Sequence, residues 1–153
     1  MVTVVILGLI VLGLVTFFTG GARSWIAGQS QIEAQRNARQ AMDIMVREIR
    51  EADYVNNSST SSYIDFHTPF KGTISYSLSV GSDLKRDSNT MISNVQSLTF
   101  SYFDNSSNPV GSSDPDKKSK VSKVHVDLQV DVDQDNNPDI TLNSDIDLRN
   151  YGL

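Results

Sequence analysis

The chain has no cysteine, only two histidines, His67 and His125, and a single tryptophan. Without thiols there are no disulfide staples, no thiol nucleophiles and no cysteine metal sites. Two histidines leave a His-based metal site or triad poorly supplied. Cations are in the minority: 13 Lys and Arg stand against 18 Asp and Glu, for a net charge of −5. A nucleic-acid surface is therefore not the default. The carboxylates are scattered and form no readable acid/base pair. A Ser/His/Asp set can be assembled from any chain this rich in Ser and Asp, so it carries no weight. No catalytic residues are assigned, and no enzymatic activity is expected.

Charge is also missing from the start of the chain, where the first ionisable side chain is Arg23. Met1 to Phe18 is an unbroken apolar run, close to the roughly 20 residues a helix needs to cross the hydrocarbon core of a bilayer. A secretory signal peptide has a basic segment before a shorter apolar core. Here no Lys or Arg precedes the run, and the helical pattern continues past it. A buried core helix fails on size, because a head of about 100 residues would have to wrap a helix that is apolar on every side. The reading is one membrane-spanning helix carrying one water-soluble head.

Residues 1–21 form the apolar helix, and 22–53 continue it in amphipathic form. Ala38, Met42, Met45, Ile49 and Ala52 recur at alternating steps of four and three, an apolar stripe that packs on the head. Trp25, just past the apolar run, suits an interfacial anchor. After a polar Ser/Asn/Thr loop at 56–62 the period changes to two. Strands are predicted at 63–66, 73–78, 95–103, 124–132 and about 140–148, with a turn around Pro69 and Gly72 and a long polar loop from Asp104 to Lys120. Val124, Val126, Leu128, Val130 and Val132 share one face, which turns His125 outward. Tyr63, Phe66, Tyr76, Phe100 and Tyr102 have strand spacing and read as core or sheet-surface residues. Strands bunched after one long helix define an α+β class, a small antiparallel sheet in 54–153 packed on the helix.

This order of elements resembles the type IV pilin and type II secretion pseudopilin family. Met1-Val2-Thr3-Val4-Val5-Ile6-Leu7-Gly8 is similar to the second part of the prepilin N-terminal motif. Gln35-Arg36-Asn37-Ala38-Arg39-Gln40-Ala41-Met42 with Arg47-Glu48-Ile49-Arg50-Glu51-Ala52 resembles the helix of minor pilins and J-type minor pseudopilins. Leu84-Lys85-Arg86, Asn94-Val95 and Leu98-Thr99-Phe100-Ser101-Tyr102 resemble their central strands, and Ile146-Asp147-Leu148-Arg149-Asn150 their closing strand. The family motif begins upstream with a basic leader, a Gly, an aromatic residue that becomes methylated and a Glu. None of these is present, so the resemblance implies a chain that begins a few residues inside the mature subunit.

The resemblance also implies a function. Such a subunit sits in the cytoplasmic membrane with an extracytoplasmic head, then enters a periplasmic or extracellular filament through an assembly platform. Its partners are other pilin or pseudopilin subunits, and Val2, Ile6, Leu9, Ile10, Leu12, Leu14 and Phe17 would be the packing surface. The alternative is a single-span anchored binding head, stabilised by Ca²⁺ or binding DNA.

Two local motifs bear on that alternative. Asp131, Asp133, Asp135 and Asp139 fall at positions one, three, five and nine of a loop, with Asn137 able to offer a carbonyl. The spacing resembles EF-hand-like and integrin-type calcium loops, and Ca²⁺ takes six to eight oxygen ligands. Leu142 stands where an EF-hand has its bidentate Glu, so a true EF-hand is not expected. An acidic, solvated hairpin loop is the plainer reading. Lys117, Lys118, Lys120 and Lys123 could meet phosphates, although a few Lys on an acidic chain usually form a solvated loop.

Overall fold

The computed structural model describes residues 2–151, with the backbone alone for Arg23 and Ala27. Met1, the first residue of the apolar run, and the last two residues of the head lie outside the described residues. The chain forms two compact units, Met1–Ala34 and Gln35–Leu153.

Helix α1 spans Val2–Arg50, 49 residues without a break. Gly8, Gly13, Gly20, Gly21 and Gly28 do not interrupt it. Within the first unit the apolar side chains of the run are exposed from Val2 to Phe18. Among the described residues, one helix is thus long and apolar enough to cross a membrane.

Among the described residues, the second unit begins with the last turns of α1 and continues through nine strands. They form two antiparallel sheets rather than one. The first holds β1 (Tyr54–Val55), β2 (Tyr63–Thr68), β3 (Gly72–Leu78), β4 (Leu84–Arg86) and β5 (Asn89–Ile92) in sequence order. The second runs β7 (Pro109–Val110), β6 (Val95–Phe103), β8 (Lys123–Val130) and β9 (Ile140–Asp147). The turn between β2 and β3 is closed by Gly72 at φ 74°, a conformation that only glycine adopts without strain. Within the long loop expected from Asp104 to Lys120, the chain forms β7 and a helical turn, α2 (Lys117–Lys120).

Alternation places the core. Ile64 and Phe66 on β2, Ile74 and Tyr76 on β3, and Leu98, Phe100 and Tyr102 on β6 are buried, as are Val124, Val126, Leu128 and Val130 on β8. Ala38, Ala41, Met42, Met45 and Ile49 bury the facing stripe of the helix, and Ala52 follows in the turn after it. The apolar alternation stops at Val130, one step before Val132, which is only half-buried while Asp131 beside it is buried.

Glu48 interrupts this apolar stripe. It shares a face with Ala41 and Met45 and is 5% exposed. Its Oε2 accepts from the Tyr76 hydroxyl at 2.6 Å and from Arg86 Nε at 2.8 Å. Its Oε1 accepts from Arg86 Nη2 at 3.1 Å and Lys71 Nζ at 3.2 Å. Burial pushes the Glu48 carboxyl up, but the bonds from Arg86, Tyr76 and Lys71 outweigh it and hold the pKa at about 2, against an ordinary 4.5. Burial and the same Glu48 contact push the Tyr76 phenol up. One carboxylate therefore ties α1 to β3, to β4 and to the β2–β3 turn.

Two expectations follow. Because the folded-state pKa of Glu48 lies below its unfolded value, its contribution is complete above about pH 5 and is lost as pH falls towards 2. Wild-type melting temperature should fall over that window, and Glu48→Gln should flatten this part of the profile while costing about 3–5 kcal/mol at neutral pH. Met45→Ala, which leaves a cavity in the helix–sheet contact, should cost about 2–5 kcal/mol with no such pH signature. Thermal melts at a series of pH values check both.

Candidate functional site

The polar feature with the most structure around it is the β8–β9 connection, Asp131 to Asp139. Asp131 follows the last core residue of β8 and is 6% exposed. Its two carboxylate oxygens accept from the backbone N–H of Gln134 at 2.7 Å and of Asn136 at 2.8 Å. Asp139 Oδ2 accepts from Val132 N, Asp133 Oδ1 from Asp135 N, and Asp135 Oδ1 from Asn137 N. These side-chain bonds replace the ladder that the loop lacks. They hold Gln134 and Asn136 in the left-handed region, at φ 61° and 68°.

Of the five residues read as calcium ligands, the loop gathers three. Asp131, Asp133 and Asp139 each offer one oxygen within 4.8 Å of the others. Asp135 stands outside that group with its Oδ1 on Asn137 N. Burial and the charges of Asp135 and Asp139 push the Asp133 carboxyl up, against the lowering bond from Asp135 N–H. A calcium ion takes six to eight oxygens, so one oxygen from each of these side chains would fill half of its shell at most. The fit to Ca²⁺ is partial.

The loop also forms one wall of an open groove of about 560 Å³, lined by Val80, Gly81, Ser82, Asn94, Val95, Gln96, Asp131, Gln134 and Asn136. Three connections meet there: β3–β4, β5–β6 and β8–β9. Backbone bonds join them, from Val95 N to Ser82 O at 2.8 Å and from Asp131 N to Asn94 O at 3.0 Å. Side chains add Gln96 Nε2 to Asn136 O at 2.8 Å and Gln134 Nε2 to Asn94 Oδ1 at 3.2 Å. The sequence pattern did not single out this groove. Its only advance signal is Asn at turn positions, where that residue tolerates positive φ better than most.

The lysines do not form a free basic surface. Lys117 is 1% exposed, with Nζ on the Asn57 carbonyl at 3.1 Å, and burial pushes its pKa down. Lys118 lies over the Tyr54 ring at 4.0 Å, and that ring stacks on His67 on the same strand pair. Lys120 pairs with Asp114 at 3.0 Å and Asp116 at 3.4 Å, and Lys123 with Asp147 at 3.7 Å. The expectation of a solvated loop fails at Lys117, which serves instead to anchor α2. His125 is partly exposed and bonded to Asp145 at 2.8 Å.

The remaining candidates, Val2, Ile6, Leu9, Ile10, Leu12, Leu14 and Phe17, lie on α1 in the first unit, each more than half exposed. No protein-family model matches the chain, and no curated protein matches it.

Asp131 is the keystone of its loop. Asp131→Ala should strip two N–H groups of their acceptor, cost about 1–3 kcal/mol and raise hydrogen-exchange rates at Gln134 and Asn136 before those of β8. Amide exchange followed by NMR reads this directly.

Proposed function

We propose that this chain is a structural, non-enzymatic subunit of a filament of the type IV pilus or type II secretion class, resembling a minor pilin or pseudopilin. One observation carries the reading: a single helix is apolar and unpartnered over its first stretch and buried against the head over its last turns. The two stretches call for different surroundings. The last turns are satisfied by the head, whereas the first needs lipid or other apolar helices.

The helix suits both of those surroundings. Thr16 Oγ1 donates to the Leu12 and Gly13 carbonyls, and Thr19 Oγ1 to those of Val15 and Thr16. The hydroxyls are thus satisfied within the helix, which matters where no water is present to do it. Lipid tails and Leu side chains are similarly apolar, so exchanging one for the other has little hydrophobic cost. In this reading Leu9 and Leu12 face neighbouring subunits in the filament, and the heads are carried outside.

The test is recovery of the chain from native cells in sheared filaments and in membranes. Wild type is expected in both fractions. Leu9→Lys and Leu12→Lys are expected to stay out of the filament fraction, since a cation at the centre of an apolar helix costs about 2.5–3.5 kcal/mol in a lipid-like setting. The head should keep its near-ultraviolet circular dichroism. A wild-type chain found only in membranes would replace this reading with that of a permanently anchored head.

A further inference from the structure

We propose that the groove between the β3–β4, β5–β6 and β8–β9 connections is a binding site for a neutral saccharide. At about 560 Å³ it falls in the size range of small-ligand pockets. Such pockets are usually apolar, and this one is not. Its lining includes Asn94, Gln96, Gln134 and Asn136, which carry carboxamides, and Ser82, which carries a hydroxyl.

That wall selects by chemistry. Among the described residues no Lys, Arg or His lines it, so no cation there favours an anion over a neutral ligand. Its one charged group, Asp131, already accepts a backbone N–H on each oxygen. What is left is uncharged and both donates and accepts. The two side-chain bonds across the groove leave Asn94 Nδ2, Gln96 Oε1, Gln134 Oε1 and the Asn136 carboxamide outside them. A sugar hydroxyl is likewise donor and acceptor, and adjacent hydroxyls on a ring match a planar amide. Fully exposed Val80 at the lip gives the C–H face of a ring an apolar contact.

The backbone points to the same place. Of the six non-glycine residues with positive φ among the described residues, four line this groove: Ser82, Asn94, Gln134 and Asn136. Left-handed conformations of non-glycine residues carry a cost and gather where a ligand is clamped. The bonds that join the three connections hold the amides in place before any ligand arrives, which lowers the entropy lost on binding.

The experiment is an array of neutral and charged glycans probed with the full chain in phospholipid nanodiscs, which carry no sugar headgroup. One or more neutral glycans should bind. Asn136→Gly suits its positive φ, keeps the backbone bonds and removes one amide; it should fold normally and bind about tenfold more weakly, as should Gln134→Ala. An unchanged melting temperature in Asn136→Gly, which keeps every bond across the groove, would place the loss in the groove. An array blank for neutral glycans, binding confined to charged ones, or equal binding by wild type and both variants would overturn the proposal.

Discussion

The head depends on one buried carboxylate. Glu48 sits on the helix face that packs on the sheet, where an uncompensated charge would be intolerable. Arg86 from β4, the Tyr76 hydroxyl from β3 and Lys71 from the β2–β3 turn all converge on it. Those donors come from residues distant in sequence, so the network closes only if the helix register, the strand register and the turn are all correct. Apolar packing of Met45 and Ile49 would tolerate a small slide of the helix along the sheet. A bidentate Arg–carboxylate pair would not. The contact thus supplies specificity as well as stability, and it sets where the following strands begin.

Much of this architecture was legible in the sequence because it rests on period. The apolar run, the four-and-three stripe of Ala38, Met42, Met45, Ile49 and Ala52, and the alternation at 63–66, 73–78, 95–103 and 124–130 are local signals. They identified the helix, the principal strands and the α+β class. What period cannot report is partnership. Nothing in the alternation says that β2 and β3 join β4 and β5 while β6 pairs with β8, so one sheet was expected where two form. Two-residue strands such as β1 and β7 are too short to show a period at all. Glu48 was readable as an acid on the buried face, three residues from Met45, but its partners were not.

The candidate sites divide along the same line. Asp spacing marked the β8–β9 loop, and the loop proved to be ordered by those side chains. The spacing did not show that they turn inward to backbone amides, with Asp135 directed to Asn137. The lysine cluster reads in sequence as a solvated loop, yet each of its lysines has a partner that depends on tertiary structure: the Asn57 carbonyl, the Tyr54 ring, Asp114 with Asp116, and Asp147. The groove was invisible because its residues come from three connections that only the fold brings together.

The C-terminal end of α1 is closed by distant residues. The backbone N–H of Arg149 donates to the carbonyl of Arg50, and Asn150 Nδ2 donates to that of Glu51. The carbonyls that terminate α1 are capped by residues made about one hundred positions later. A chain interrupted before β9 has an open helix end and lacks one strand of its second sheet. The head therefore closes only once residues 149–150 are in place. Its folding is governed by long-range contacts, which places it among slowly folding topologies, and loss of Arg149 and Asn150 would be felt first at the end of the helix.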